Sequence, residues 1–197
     1  MIVLCGKTAS GKDTVTKELI KLGMERVVTY TSRPMRKGEE NGVEYWFFSE
    51  GQFKTLEKEG VFLETTSYTV ANGKTWHYGT PILGLEENKV IVMNPDGVKE
   101  IIEYKKYTPV IFYLHVDEAV LKERLKLRGD NEEESHRRLV ADNADFSDIE
   151  QYYDFKIDNT TSTPTETAFL IYQLYQSYFT TKKQIEKYYV NGDTTNE

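Results

Sequence analysis

The N-terminal residues constrain the fold more than any other part of the chain. Ile2–Cys5 is a short, uninterrupted apolar run, and such runs are typical of parallel strands that are buried on both faces. A glycine-containing loop follows at once, and then a helical pattern with Val15, Leu19 and Leu22 on one face. A strand, a loop and a helix in this order predict an α/β fold built on a parallel sheet.

The same alternation returns in the second half of the chain. Strand-like runs occur at 89–93, 110–116 and 153–157, and helical patterns separate them. Thr163, Pro164 and Glu166 mark the start of a last helix, which we expect to fray beyond Phe179, where the chain turns polar. These patterns predict a core of helices around a parallel sheet over residues 1–31 and 82–180, followed by a polar tail at 181–197.

Two segments interrupt this core pattern. Residues 32–81 are predicted to form a β-rich insert, with a capped helix beginning at Ser49 and strands at 61–70 and 74–78 joined by an Asn72-Gly73 turn. A charged stretch at about 129–148 is predicted to hold a helix.

Composition excludes several classes of protein. The chain has 197 residues and a net charge of −7, which favour one globular domain and argue against nonspecific nucleic-acid binding. The single cysteine and three scattered histidines predict neither a disulfide nor a zinc site. With no apolar run long enough to span a membrane, we expect a cytoplasmic protein, either monomer or homodimer. Because the chain is acidic overall, we expect local clusters of basic residues to bind any anionic ligand.

The loop after the first strand fits the pattern G-x-x-x-x-G-K in the strand-to-helix context that this motif requires. Its backbone N–H groups and the Lys12 ammonium can cradle nucleotide phosphates, whereas the alternative is an ordinary glycine-rich turn. The predicted nucleotide-phosphate residues are Gly6, Thr8, Ala9, Ser10, Gly11, Lys12, Asp13 and Thr14.

The residue after Lys12 departs from this motif. Asp13 stands where a hydroxyl normally contacts magnesium, and the hydroxyl comes one residue later, at Thr14. The Asp13 carboxylate could hold Mg²⁺ or could merely cap the helix N-terminus. Our hypothesis places Asp13 near the metal and Thr14 on phosphate, and both are predicted metal-site residues.

A second basic cluster lies in the segment 29–45. Arg33 and Arg36 flank a proline, and Tyr45 follows a glycine-bounded turn. Two guanidinium forks and a phenol could together grip one phosphate monoester, whereas the alternative is a solvated charged loop.

Together with motifs along most of the chain, these residues resemble those of the guanylate kinase family. The motifs that carry the resemblance are the phosphate loop, T-S-R-P-x-R-x-G-E-x-x-G-x-x-Y from Thr31, F-L-E from Phe62, H-Y-G-T from His77, R-L-x-x-R-G from Arg124 and Y-D-x-x-x-x-N from Tyr153. The resemblance implies a P-loop NTPase-type fold in which 32–81 binds GMP and 129–148 forms a helical lid. It also implies that ATP and Mg²⁺ are the co-substrate and cofactor.

The resemblance assigns a role to individual residues. Arg33, Arg36, Tyr45 and Tyr78 would hold the GMP phosphate. Thr29, Glu64 and Thr80 would read the guanine. Arg124, Arg128 and Asn159 would lie on the ATP side. The implied catalytic residues are Lys12, Arg36, Arg128 and Arg138.

The chain also departs from the family in two places. Arg138 is spaced one residue short of the family pattern, so Arg137 is an alternative to it. Asn94 stands where the family has an aspartate that helps to read guanine, so the resemblance places Asn94 among the GMP-binding residues. Val92 stands where the family has a metal-side aspartate. An amide keeps one acceptor but adds donors, so both base selectivity and metal binding could change here.

These features predict transfer of the γ-phosphoryl group of ATP to GMP or dGMP. One alternative is an enzyme similar to ribose 1,5-bisphosphate phosphokinases, which resemble this chain around Asn94. The other is a noncatalytic guanylate-kinase-like module that binds a phosphorylated peptide.

Overall fold

The computed structural model describes residues 1–36, 38–69 and 73–189, with side chains described as far as Thr181. The strands are β1 Ile2–Cys5, β2 Glu25–Arg26, β3 Thr29–Thr31, β4 Tyr45–Phe47, β5 Phe62–Thr69, β6 Thr75–Pro81, β7 Lys89–Val92, β8 Val110–His115 and β9 Phe155–Asp158. The helices are α1 Lys12–Lys21, α2 Glu50–Lys58, α3 Pro95–Glu103, α4 Glu118–Leu127, α5 Glu132–Asp145 and α6 Pro164–Tyr189.

Five parallel strands form the central sheet, in the order β2-β7-β1-β8-β9. The strand β1 lies in the middle, and all four of its residues are buried. Val3 and Cys5 pack in one core cluster with Ile101 of α3, whereas Ile2 and Leu4 pack in another with residues of α1 and α6. The sheet is therefore covered on both faces, and the predicted α/β fold is confirmed.

A second sheet, in the order β4-β3-β6-β5, stands beside the first. The sequence pattern predicts one strand over 27–31, but the structure has a strand only at Thr29–Thr31, which pairs with β4 and β6. The short strand Glu25–Arg26 just before it pairs with β7 of the central sheet. The chain changes sheets between these two short strands, so β3 leads into the proposed insert 32–81. The strands β5 and β6 are antiparallel as the hairpin pattern predicts, and Asn72 of its turn lies outside the described residues.

Side-chain caps fix where two helices begin. Ser49 accepts a hydrogen bond from the Gln52 N–H, and the Gln52 side chain accepts one from the Ser49 N–H, so the predicted capping box at α2 is confirmed. Thr163 and Glu166 make the same reciprocal pair at the start of α6. Each cap satisfies backbone donors that have no partner within the helix.

The C-terminal part differs from expectation. We expect fraying beyond Phe179, yet α6 continues through Tyr189. The extension is rich in Lys, Gln and Glu, which lose little side-chain freedom in a helix, so polarity alone does not end it. Among the described residues, none of the helices combines the length and apolarity that a bilayer crossing requires.

Candidate active site

The loop between β1 and α1 has a shape that its glycines permit. Gly11 has φ +97°, and a Cβ there would lie 2.8 Å from the Asn159 side-chain nitrogen. The Ser10 N–H donates to Lys7 O at 3.1 Å, and the Val15 N–H donates to Gly11 O at 2.9 Å. Gly11 thus lets the chain turn sharply into α1, in the form that the motif predicts.

Asn159 supports this loop from below. Its side chain is buried, with Nδ2 donating to Ser10 O at 2.8 Å and Oδ1 accepting from Thr167 Oγ1 at 2.6 Å. Both ends of the amide are therefore engaged by the protein, whereas the sequence places Asn159 among the ATP contacts. In this geometry Asn159 positions the loop.

Lys12 lies across the mouth of the loop. Its Nζ donates to Gly6 O at 2.6 Å and to Lys7 O at 2.9 Å. Burial lowers the pKa of this ammonium, and the carboxylates of Asp13 and Asp142 partly offset that effect. A positive charge is thus held beside the loop amides, as nucleotide phosphates require.

A carboxylate from α5 also reaches the loop. Asp142 Oδ2 accepts a hydrogen bond from the Thr8 N–H at 2.5 Å, and Lys7 Nζ donates to Asn143 Oδ1 at 2.5 Å. Burial raises the pKa of Asp142, while the Thr8 amide and Lys12 oppose the rise. The sequence patterns do not single out Asp142, although its position one helical turn after Arg138 puts both on one face of α5.

Most of the predicted ATP residues border one cavity of about 400 Å³, whereas Gly6 and Thr8 line a different one. The lining of the first cavity includes Ala9, Gly11, Lys12, Asp13, Thr14, Arg124, Arg128 and Asn159. Arg124 donates to the main-chain oxygens of Ala9, Asn159 and Thr160, and Arg128 pairs with Asp130.

Asp13 and Thr14 are exposed in the first turn of α1. Asp13 Oδ1 lies 3.2 Å from an Arg26 guanidinium nitrogen that also donates to Glu44 O. A carboxylate and a hydroxyl beside a phosphate site fit Mg²⁺, which usually takes one or two protein ligands and completes its shell with phosphates and water. Within the described ranges, no group of three or more His, Cys, Asp or Glu side chains could hold a metal by itself.

Most of the predicted acceptor residues line a second cavity, of about 280 Å³. Its lining combines Thr29, Tyr45, Glu64, Tyr78, Thr80 and Asn94 with Gly6, Thr8 and Lys12 of the phosphate loop. Burial raises the pKa of Tyr45 to about 12, so its phenol stays neutral and able to donate. The phosphate loop therefore faces Tyr45 and the predicted guanine-reading residues across one cavity.

The two acceptor arginines do not line that cavity. Arg36 borders a neighbouring space together with Tyr78, Arg137 and Arg138. Arg33 is buried, pairs with Glu39 at 2.7 Å and has its guanidinium carbon 5.5 Å from the centres of the Tyr45 and Phe47 rings. The structure thus places Arg36 at the edge of the site and Arg33 behind Tyr45.

Arg138 approaches the acceptor side. It lines the same space as Arg36, and both Arg137 and Arg138 pair with Glu134 at 2.8 Å. Burial and the nearby Arg33 guanidinium lower the pKa of Arg36, and Arg138 acts in the same direction. An anion between these cations would relieve their mutual repulsion.

Comparison with known proteins shows the family of the chain. The family model described as guanylate kinase matches residues 1–169. The chain belongs to the guanylate kinase family. A guanylate kinase of Prochlorococcus marinus is 31% identical over 90% of this chain and 97% of its own length, and one of Malacoplasma penetrans is 30% identical over 81% and 84%. In fold, the chain matches a crystal structure of guanylate kinase from Anaplasma phagocytophilum, with a TM-score of 0.68, 24% identity and coverage of 90% of this chain and 85% of the other.

In this member of the guanylate kinase family, Glu64 is held by hydroxyl groups. Thr80 Oγ1 donates to Glu64 Oε1 at 2.6 Å, and Thr66 Oγ1 donates to Oε2 at 3.3 Å. Burial raises the pKa of Glu64, and these two hydrogen bonds oppose the rise. The carboxylate therefore lies at the cavity with both oxygens oriented.

Asn94 is engaged differently from what its alignment with a family aspartate implies. Its Oδ1 caps α3 by accepting from the Gly97 N–H at 2.8 Å, and its Nδ2 donates to Thr66 Oγ1 at 3.1 Å and to the Tyr68 hydroxyl at 3.0 Å. Thr66 and Tyr68 also line the acceptor cavity, as do Asp142 and Asp145. The motifs miss Thr66 and Tyr68, but the two-residue period of a strand puts both on the same face as Glu64.

Proposed function

We propose that this chain transfers the γ-phosphoryl group of ATP to GMP. The observation that carries the proposal is the cavity in which Tyr45, Glu64, Tyr78 and Thr80 face Gly6, Thr8 and Lys12 of the phosphate loop. Phosphoryl transfer requires the two nucleotides to meet there in line.

The acceptor phosphate lies between Tyr45, Tyr78 and Arg36. The two phenol rings are 5.9 Å apart, centre to centre, and their hydroxyls can donate to phosphate oxygens. Arg36 supplies a bidentate guanidinium from the neighbouring space, while Arg33 holds the Tyr45 ring in place.

Guanine is selected by Glu64, with Thr80 and Thr29 beside it. Ionised Glu64 can accept from the N1–H and the 2-amino group of guanine. Adenine offers neither donor in that position, so it would leave a desolvated carboxylate without a partner.

The acceptor oxygen of GMP is already ionised near neutral pH, so the reaction needs no dedicated general base. The protein instead aligns the two phosphates and neutralises charge, with Lys12 on the donor side, Arg128 at the ATP cavity and Arg138 on the acceptor side. Asp13 and Thr14 would hold Mg²⁺, which when bound neutralises phosphate charge.

The test is ADP release from Mg-ATP with GMP, dGMP, AMP and ribose 1,5-bisphosphate offered separately. We expect turnover with GMP, little with AMP, and a GMP-to-dGMP ratio that states the sugar preference. If ribose 1,5-bisphosphate is the one acceptor that gives turnover, the proposal is wrong and the chain is a sugar-phosphate kinase. No turnover with any acceptor would favour the phosphopeptide-binding module.

A further inference from the structure

Thr66 lies between Glu64 and Asn94, the two side chains that bear on base selection. The pairing of β5 with β6 sets Glu64 opposite Thr80 and Thr66 opposite Tyr78. Because side chains alternate along a strand, Glu64, Thr66 and Tyr68 point to the same face. That face lines the acceptor cavity.

The hydrogen bonds around Thr66 have a fixed direction. Asn94 Oδ1 accepts from the Gly97 N–H, so the other end of the amide must be the nitrogen that faces Thr66. Asn94 Nδ2 has two hydrogens, and one goes to Thr66 while the other goes to Tyr68. The Thr66 oxygen therefore accepts from Asn94, which leaves its own hydrogen for Glu64 Oε2.

We propose that Thr66 is a positioning residue for guanine recognition, which relays a hydrogen bond from Asn94 to Glu64 and holds that carboxylate toward the base. The inference rests on the proposed function, because it takes Glu64 as the group that reads guanine. Thr66 donates to one carboxylate oxygen of Glu64 and Thr80 donates to the other, so both oxygens are held in place where Glu64 lines the cavity.

The direction of the relay depends on residue 94 being an amide. An aspartate there could only accept when ionised, so Thr66 would turn its hydrogen toward residue 94 and away from Glu64. An asparagine at position 94 is therefore compatible with a threonine at position 66. Asn94, which stands where the family has an aspartate, acts through Thr66 rather than through direct contact with the base.

Negative charges near Glu64 favour its protonated form, so the Thr66 hydrogen bond is needed to keep this carboxylate ionised. Asp96 and Glu100 of α3 raise the pKa of Glu64, in addition to its burial. Asp142 and Asp145 of α5 and Lys12 of the loop border the same cavity. Loss of the Thr66 donor would therefore raise the pKa of Glu64 further and reduce its ionised fraction on the acid side.

The test compares Thr66→Val with Thr66→Ser, which keeps the hydroxyl, and with Thr65→Val, the same change on the opposite, exposed face of β5. Kd for GMP is measured by titration calorimetry without ATP, and KM for each substrate and kcat are measured from about pH 5 to 8. We expect Thr66→Val to weaken GMP binding about tenfold, with kcat and the KM for ATP nearly unchanged.

The acid limb of kcat/KM for GMP should move to higher pH in Thr66→Val and return in Thr66→Ser. Asn94→Asp should resemble Thr66→Val, while Thr65→Val should resemble the wild type. If the wild type binds GMP and Thr66→Val binds it equally well with the same pH profile, the relay is wrong and the proposed function stands. If KM rises equally for GMP and ATP, Thr66 has only a structural role. A wild type that binds no GMP overturns both.

Discussion

The phosphate loop and the acceptor cavity, which we propose hold the phosphates of two nucleotides, are built by different means. The loop between Gly6 and Lys12 is consecutive in the chain, and main-chain groups supported by Asn159 set its shape. The acceptor cavity is lined by that loop and by side chains from distant elements, among them β3, β4, β5, β6 and α5. A site of the first kind depends on local backbone conformation, whereas one of the second kind depends on side-chain hydrogen bonds between distant residues.

The largest expected effect is that of Lys12→Met on kcat, and it distinguishes the phosphate loop from the acceptor cavity most clearly. Lys12→Met removes the cation at the loop but changes none of the side chains proposed to hold GMP, so kcat should fall about a thousandfold while Kd for GMP stays within about twofold. Steady-state kinetics and calorimetry with GMP measure the two quantities. A decrease of less than about tenfold in kcat would show that the loop cation is not required for transfer, and a large change in GMP affinity would show that the two regions are not separable.

A change on the acceptor side should have the opposite signature. Arg36→Met removes the guanidinium at the edge of the cavity, so KM for GMP should rise roughly thirtyfold while KM for ATP changes little. Arg36→Lys is the matched variant, because it keeps the charge but loses the bidentate fork, and it should recover only part of the affinity. Equal changes in the two KM values would contradict an assignment of Arg36 to GMP.

The same contrast explains what could be predicted from the sequence. The loop could be predicted because glycines and lysine at fixed spacing require one backbone form, and strand β1 could be predicted because its apolar run is uninterrupted. The motif could not show that Asn159 lies below the loop with its amide engaged, since that contact joins residues far apart in the chain.

The acceptor cavity was predictable residue by residue only where a motif existed. Tyr45, Glu64 and Thr80 belong to family motifs and line the cavity. Thr66 and Tyr68 belong to none, and their role depends on the register of β5 with β6 and on the orientation of the Asn94 amide. The sequence also cannot show that Arg33 is buried against Glu39, because both could equally lie on a solvated loop.

The smallest expected effect tests where the two regions meet. Asp142 accepts from the Thr8 N–H and lies near Lys12, so its carboxylate takes a loop donor that ATP phosphates would also require. Asp142→Asn keeps the shape and removes the charge, and KM for ATP should fall by about threefold, with a smaller change in KM for GMP, whose proposed cavity Asp142 also lines. Asp145→Asn is the control, since Asp145 lies on the same helix and lines the acceptor cavity.

The pH dependence of this effect follows from the raised pKa of Asp142. A raised pKa means that the carboxylate takes up its proton at a higher pH than an exposed aspartate does, so the wild type loses this negative charge early as the pH falls. The difference in KM for ATP between the wild type and Asp142→Asn should therefore be largest near neutral pH and shrink on the acid side. A higher KM for ATP in Asp142→Asn would contradict competition at the loop and would mean that the carboxylate of α5 helps the donor nucleotide to bind.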